Sequence, residues 1–125
     1  MKLFNLTAAA IAIATTAACA SAAHHAPAKK QHGMLVGSND MTLYTFDKDV
    51  ANSGKSACNG KCAVNWPPLY AAKGDKAEGD FSIITRDDGS KQWAVNGKPL
   101  YFWIKDKKPG DKTGDGFKNV WRVAK

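Results

Sequence analysis

The sequence predicts a mostly β fold: a small single domain of two related antiparallel β-hairpin repeats, with long loops and one disulfide. Three observations carry this prediction. The segment Leu43-Tyr44-Thr45-Phe46-Asp47-Lys48-Asp49 returns as Leu100-Tyr101-Phe102-Trp103-Ile104-Lys105-Asp106, and a repeat of this kind marks a unit that buries its core against its copy. Asn96-Gly97 separates two runs rich in apolar residues; this dipeptide is the strongest short-range hairpin signal, because a two-residue turn needs positive φ at both positions. Gly and Pro interrupt every window that could hold a three-turn amphipathic helix.

Taken in chain order, residues 1–22 read as a secretory signal peptide. Met1-Lys2 is a basic start, Leu3 to Ala18 an apolar run, and Ala20-Ser21-Ala22 a small-residue cleavage site. The run is short for a spanning helix, which needs about 20 mostly apolar residues. Cleavage after Ala22 gives a soluble periplasmic or secreted product. The rival is lipidation at Cys19, which follows Thr16-Ala17-Ala18 without the usual Leu and would tether the module to a membrane. Residues 23–33 read as a flexible tether rich in His and Lys. Residues 34–125 form the two-repeat β domain, with repeat 1 at about 34–70 and repeat 2 at about 91–125.

Within repeat 1, Leu35-Val36 precedes a turn at Ser38-Asn39-Asp40, and the Tyr44 motif follows as a strand. Asn52 to Cys62 is a long loop ending in Cys58-Asn59-Gly60-Lys61-Cys62. In an exported chain this even pair is expected to form a disulfide, with Gly60 allowing the tight bend. Three intervening residues, rather than the two usual in redox pairs, favour a structural role. Trp66 follows the loop. Phe81 to Thr85 predicts a strand closed by the Asp87-Asp88-Gly89 turn. Lys91 to Val95 and Lys98 to Trp103 predict strands paired across Asn96-Gly97, and Val120 to Val123 a last one. Pro109 to Phe117 reads as a loop. Its Asp111-Lys112-Thr113-Gly114-Asp115-Gly116 run is similar to the opening of a calcium loop, but Arg122 stands where a bidentate Glu is required.

The chain has 125 residues, is 44% apolar and carries a formal charge of +7. Much of the apolar content lies in residues 1–22, so the remainder has a thin core made up with aromatics. This composition excludes a multidomain enzyme and a polytopic membrane protein. Trp66, Trp93, Trp103 and Trp121, spread along the second half, argue against a long disordered chain.

Together, Tyr44/Phe46/Asp49, Tyr101/Trp103/Asp106, Cys58-x-x-x-Cys62, Trp66-Pro67-Pro68-Leu69, Pro109-Gly110-Asp111 and Trp121 form a recognisable pattern. It closely resembles the bacterial exported "secreted repeat of unknown function" family, described also as predicted lipoproteins with a Tyr-x-(Phe/Trp/Tyr)-x-x-Asp motif. The resemblance covers roughly residues 34–125. It implies an envelope or secreted location and two repeats, and it supplies no activity.

Two candidate sites follow from the residues. Tyr44, Phe46, Asp49, Tyr101, Trp103 and Asp106 could form a ligand-binding face; alternatively the rings pack inside, as large aromatics on alternate strand positions usually do, and the two Asp bond to the loops that follow them. Cleavage after Ala22 would expose Ala23-His24-His25. Its amine, amides and imidazole suit Cu(II), with His32 near by. All three His precede the domain, and the chain has one Glu, Glu78, and no phosphate-binding Gly-Lys-Ser/Thr loop. An enzyme is therefore not expected. Export makes nucleic acid an improbable partner. The expected function is an exported non-catalytic cell-envelope module that binds an envelope component or small ligand. The alternative is a periplasmic copper or redox accessory protein.

Overall fold

The computed structural model describes residues 26–125. Its first element is a hairpin of β1 (Ala28–Gln31) and β2 (Met34–Gly37), paired antiparallel from Ala28↔Gly37 to Gln31↔Met34. His32 and Gly33 make the turn with φ of 53° and 79°, the left-handed values that a two-residue hairpin turn demands. The tether expected over 23–33 is therefore a strand from Ala28 onward. Ala28 is 5% exposed and packs with Leu35 and Leu43, so the ordered chain begins before Met34. The signal segment 1–22, including Cys19, and residues 23–25 lie outside the described residues.

β3 (Tyr44–Phe46) follows, then a long loop, the single helical turn and a half of α1 (Lys61–Asn65), and β4 (Phe81–Thr85), β5 (Lys91–Val95) and β6 (Lys98–Pro99). A short 3-10 turn (Phe117–Asn119) leads into β7 (Trp121–Val123). The β4–β5 register runs from Phe81↔Val95 to Thr85↔Lys91, and β5 and β6 turn at Asn96 (φ 49°) and Gly97 (φ 81°). Gly97 has a second constraint: a Cβ there would lie 2.1 Å from Asn52 Oδ1. The strand expected over Lys98 to Trp103 is regular only to Pro99. Beyond it Tyr101 bridges to Tyr44 and Pro68 instead.

That departure explains how the repeats join. β3 of repeat 1 pairs with β7 of repeat 2, Tyr44↔Val123 to Phe46↔Trp121. In repeat 2, Phe102 N–H donates to the Pro67 carbonyl and Ile104 N–H to the Asn65 carbonyl, at 2.7 and 3.0 Å. The same exchange extends to the hairpins. Leu35 N–H donates to the Ala124 carbonyl and Trp93 N–H to the Leu69 carbonyl, both at 2.9 Å. Each repeat thus ends by adding its last segment to the other repeat's sheet. At the centre, Tyr44 N–H donates to the Tyr101 carbonyl at 2.8 Å and Tyr101 N–H to the Tyr44 carbonyl at 3.0 Å. The two halves are related by a pseudo-twofold through this pair.

Strand alternation sorts the core into two clusters. Leu43, Leu100, Leu35, Ala28 and Ala124 form the aliphatic one. Tyr44, Tyr101, Trp66, Trp103 and Trp121 form the aromatic one, which also holds Cys58. Along the second motif Tyr101 and Trp103 accordingly fall in the aromatic cluster, and Leu100 and Phe102 in the aliphatic one.

Candidate functional site

The aromatic cluster is a stack with the same twofold character. Phe46 lies on Trp121 (4.2 Å between centroids, 15° between planes), Trp121 on Trp66 (3.7 Å, 4°) and Trp66 on Trp103 (4.0 Å, 23°). Along the stack the rings come alternately from repeat 1 and repeat 2. Each motif aromatic therefore covers the downstream Trp of the other copy. Tyr44 meets the edge of Trp66 and Tyr101 that of Trp121 in near-perpendicular contacts at 5.3 and 5.1 Å, a favoured aromatic geometry.

The motif Asp residues are exchanged as well. Tyr44 Oη donates to Asp106 Oδ2 and Tyr101 Oη to Asp49 Oδ2, each at 2.6 Å. The remaining carboxylate oxygens order the following loops. Asp49 Oδ1 accepts from Ala57 N–H at 2.6 Å, and Asp106 Oδ1 accepts from Thr113 N–H and Oγ1 at 2.9 and 2.7 Å. Sequence reasoning assigned the Asp residues to their own loops; their sharing of the opposite Tyr is not visible in either copy alone. Burial raises both tyrosine pKa values well above the ordinary phenol range, and the hydrogen bond to Asp106 or Asp49 raises them further. Burial also raises Asp49 above its usual value, against the lowering bonds from Tyr101 and Ala57.

Of the six residues considered for a binding face, Tyr44 and Tyr101 are fully buried and Asp106 is buried. Asp49 is committed to Tyr101 and Ala57. These four belong to the interlock between repeats. A chain with so thin a core must use its large rings inside. Phe46 and Trp103, at the two ends of the stack, are different: both border an open cleft of about 480 Å³. The volume lies in the range of small-molecule sites.

The cleft runs along the seam of the two repeats. Trp66 and Trp121 contribute only ring edges, since both faces of each are covered within the stack. Phe117, 36% exposed, stands beside Trp103 at 4.9 Å, and Lys48 and Lys118 flank the opening. The disulfide forms one wall. Cys58 and Cys62 are joined, with Cys58 buried and Cys62 facing the cleft. Trp66 N–H donates to the Cys62 carbonyl at 2.7 Å, so the disulfide loop sets the position of the central indole. Arg86 holds the loop from the other side: Nη2 donates to the Cys58 carbonyl at 2.5 Å and Nη1 to Gln92 Oε1 at 2.6 Å. Gly114 passes so close under the stack that a Cβ would meet Trp66 Cη2 at 2.6 Å.

A larger hollow of about 630 Å³ lies beside Tyr70 and Ile83. It is bordered by the exposed Ala72–Asp75 loop and one strand edge, and so lacks the built wall of the cleft. For the copper hypothesis, His24 and His25 lie outside the described residues. His32 sits at the exposed β1–β2 turn rather than on a tether.

Sequence reasoning missed Lys48, Phe117 and Lys118 as cleft residues. Lys48 lies inside the repeated motif but reads there as a solvated charge, and Phe117-Lys118 falls in a glycine-rich loop without periodicity. No local signal places them together.

The chain matches a family model described as a secreted repeat of unknown function, twice, over residues 27–70 and 82–125. This protein belongs to that family. Both matched segments start earlier than the repeats expected at 34 and 91, because β1 and β4 are the first strand of each repeat. The family is described as secreted, in agreement with an export signal. No curated protein and no solved structure matches the chain.

Proposed function

We propose that this family member is an exported, non-catalytic module that binds a small ligand in the cleft between its repeats. It acts in the periplasm or outside the cell, as a free protein after cleavage at Ala22 or as a lipid-anchored one through Cys19. The observation that carries this reading is the placement of the cleft. It lies where rings from both repeats converge, and its lining includes Phe117 and two exposed Lys side chains. A rigid apolar wall with a few convergent polar groups is the usual form of a small-molecule site. The buried Tyr–Asp pairs support binding rather than turnover. Their bonds are all internal, and burial moves both phenol pKa values still further above neutrality.

Native mass spectrometry of the protein isolated from its own envelope tests the reading. It is expected to carry a small-molecule adduct that the Phe117→Ala variant, altered at a half-exposed ring, loses. Ligand-free wild-type protein, or an adduct unaffected by F117A, would overturn it.

A further inference from the structure

We infer that the ligand is a flat, apolar ring bearing an anionic oxygen group, with the ring against Phe117 and the stack edges and the anion between Lys48 and Lys118. The inference rests on the reading of the cleft as a binding site and names what that site selects.

Three independent features of the cleft point to an anion. The first is charge. Lys48 and Lys118 both border it, and no Asp or Glu is among the described residues that line it. Neither ammonium makes an ion pair among the described residues, so no carboxylate neutralises either one at the cleft. Lys118 Nζ instead stands 5.7 Å from the centre of the Phe117 ring. Two cations without a carboxylate partner, beside an apolar wall, make a local field that concentrates anions.

The second feature is the direction of the rings. The faces of Trp66 and Trp121 are consumed in the stack, so the cleft meets their edges. The edge of an aromatic ring is the positive pole of its quadrupole. A cation would be repelled at those two edges, and the Phe117 ring face already has the Lys118 ammonium over it.

The third feature is the hydrogen-bonding inventory. An indole nitrogen donates only. Among the described residues, the indole N–H groups of Trp66, Trp103 and Trp121, like that of Trp93, have no acceptor, although the Trp66 backbone N–H does. Among the described residues the one buried, unpartnered side-chain nitrogen or oxygen is Arg86 Nε, which lies outside the cleft lining. Trp66 and Trp121 are only 3% exposed, and the cleft is a cavity that all three rings border. Buried or nearly buried polar groups normally find partners. Here, apart from the Asn65 amide, the polar side chains of the lining are donors without acceptors. An oxygen-rich anion satisfies them with acceptors alone, whereas each hydroxyl of a sugar also brings a donor, for which the lining side chains offer only the Asn65 amide oxygen.

The test uses 2-naphthoate as the probe, with neutral 2-naphthalenemethanol and cationic 2-naphthylmethylammonium as matched rings. Binding is followed by the indole N–H signals of the intact mature protein in 15N-labelled form. The expected result is that 2-naphthoate shifts the signals of Trp66, Trp103 and Trp121 and leaves that of Trp93 in place. It should bind at least tenfold more tightly than the alcohol, with the cation weakest. The Lys48→Gln/Lys118→Gln double variant, changed at two exposed side chains, should lower naphthoate to the level of the alcohol. An unmoved Trp93 signal in the variant verifies that it is folded. If alcohol and naphthoate bind equally, or the double variant keeps the preference, the anion inference is overturned while the cleft reading stands. If no probe shifts any cleft indole, the cleft reading fails and the inference with it.

Discussion

Asp49 and Asp106 each serve two masters, and this gives single side chains an unusual share of the stability. One carboxylate oxygen anchors the loop of its own repeat and the other takes the phenol of the opposite one. Removing one phenol oxygen leaves a charged, partly buried acceptor short of a donor. Tyr44→Phe and Tyr101→Phe should therefore each cost about 1–3 kcal/mol in urea unfolding. The tyrosines also set an alkaline limit. Their folded pKa values are raised, chiefly by burial, so the unfolded chain loses these protons first. The stabilisation is full below the ordinary phenol pKa of about 10 and is lost as pH rises above it, at about 1.4 kcal/mol per pH unit for each Tyr. Urea midpoints measured between pH 9 and 12 should show that slope, and each Tyr→Phe variant should remove about half of the tyrosine share. A variant slope equal to wild type would count against the buried phenols.

At the scale of elements, the disulfide and the short helix after it act as a bracket for Trp66. The bridge closes a loop of only a few residues, for which chain entropy accounts for about 2 kcal/mol. Its larger consequence is positional, through the bond from Trp66 N–H to the Cys62 carbonyl. Arg86, donating to the Cys58 carbonyl, ties the same loop to β5 through Gln92. The Cys58→Ala/Cys62→Ala variant should lose about 2 kcal/mol in urea unfolding, and its near-ultraviolet circular dichroism should lose intensity from the stacked indoles. An unchanged aromatic signal would mean that the stack holds Trp66 without the bracket. The hairpins obey simpler rules. Asn96-Gly97 announces its turn in sequence, whereas His32-Gly33 makes the same kind of turn without the favoured Asn or Asp. With Lys29, Lys30 and three His around it, that strand reads as a solvated tail; pairing with β2 and the burial of Ala28 overrule the composition.

For the molecule as a whole, the exchange of terminal segments makes the repeats mutually dependent. β3 needs β7, Trp93 needs Leu69, and every ring of the stack rests on one from the other half. The connection between them, from Ala72 to Asp80, is exposed along its length. Cutting the chain there should leave the protein folded. The separated halves should each be unstructured by far-ultraviolet circular dichroism and regain the native spectrum when mixed one to one. A half that folds alone as a monomer would contradict the interlock. The interlock also places the cleft, since its walls come from both repeats and no half could form it.

Sequence alone determined the repeat, the strand at Phe81–Thr85, the Asn96-Gly97 turn, the alternate placing of the motif aromatics, and the Cys58–Cys62 pair, because each depends on short-range spacing. Tertiary structure decided whose partner each group is. The choice of Asp106 for Tyr44, of Trp121 for Phe46, and of Lys48 and Lys118 for one cleft depends on contacts between residues far apart in the chain. A pseudo-twofold exchange satisfies the same local pattern as two independent repeats would. Only burial separates the alternatives: neither half of this lean, aromatic-rich chain has enough apolar surface to form a core without the other.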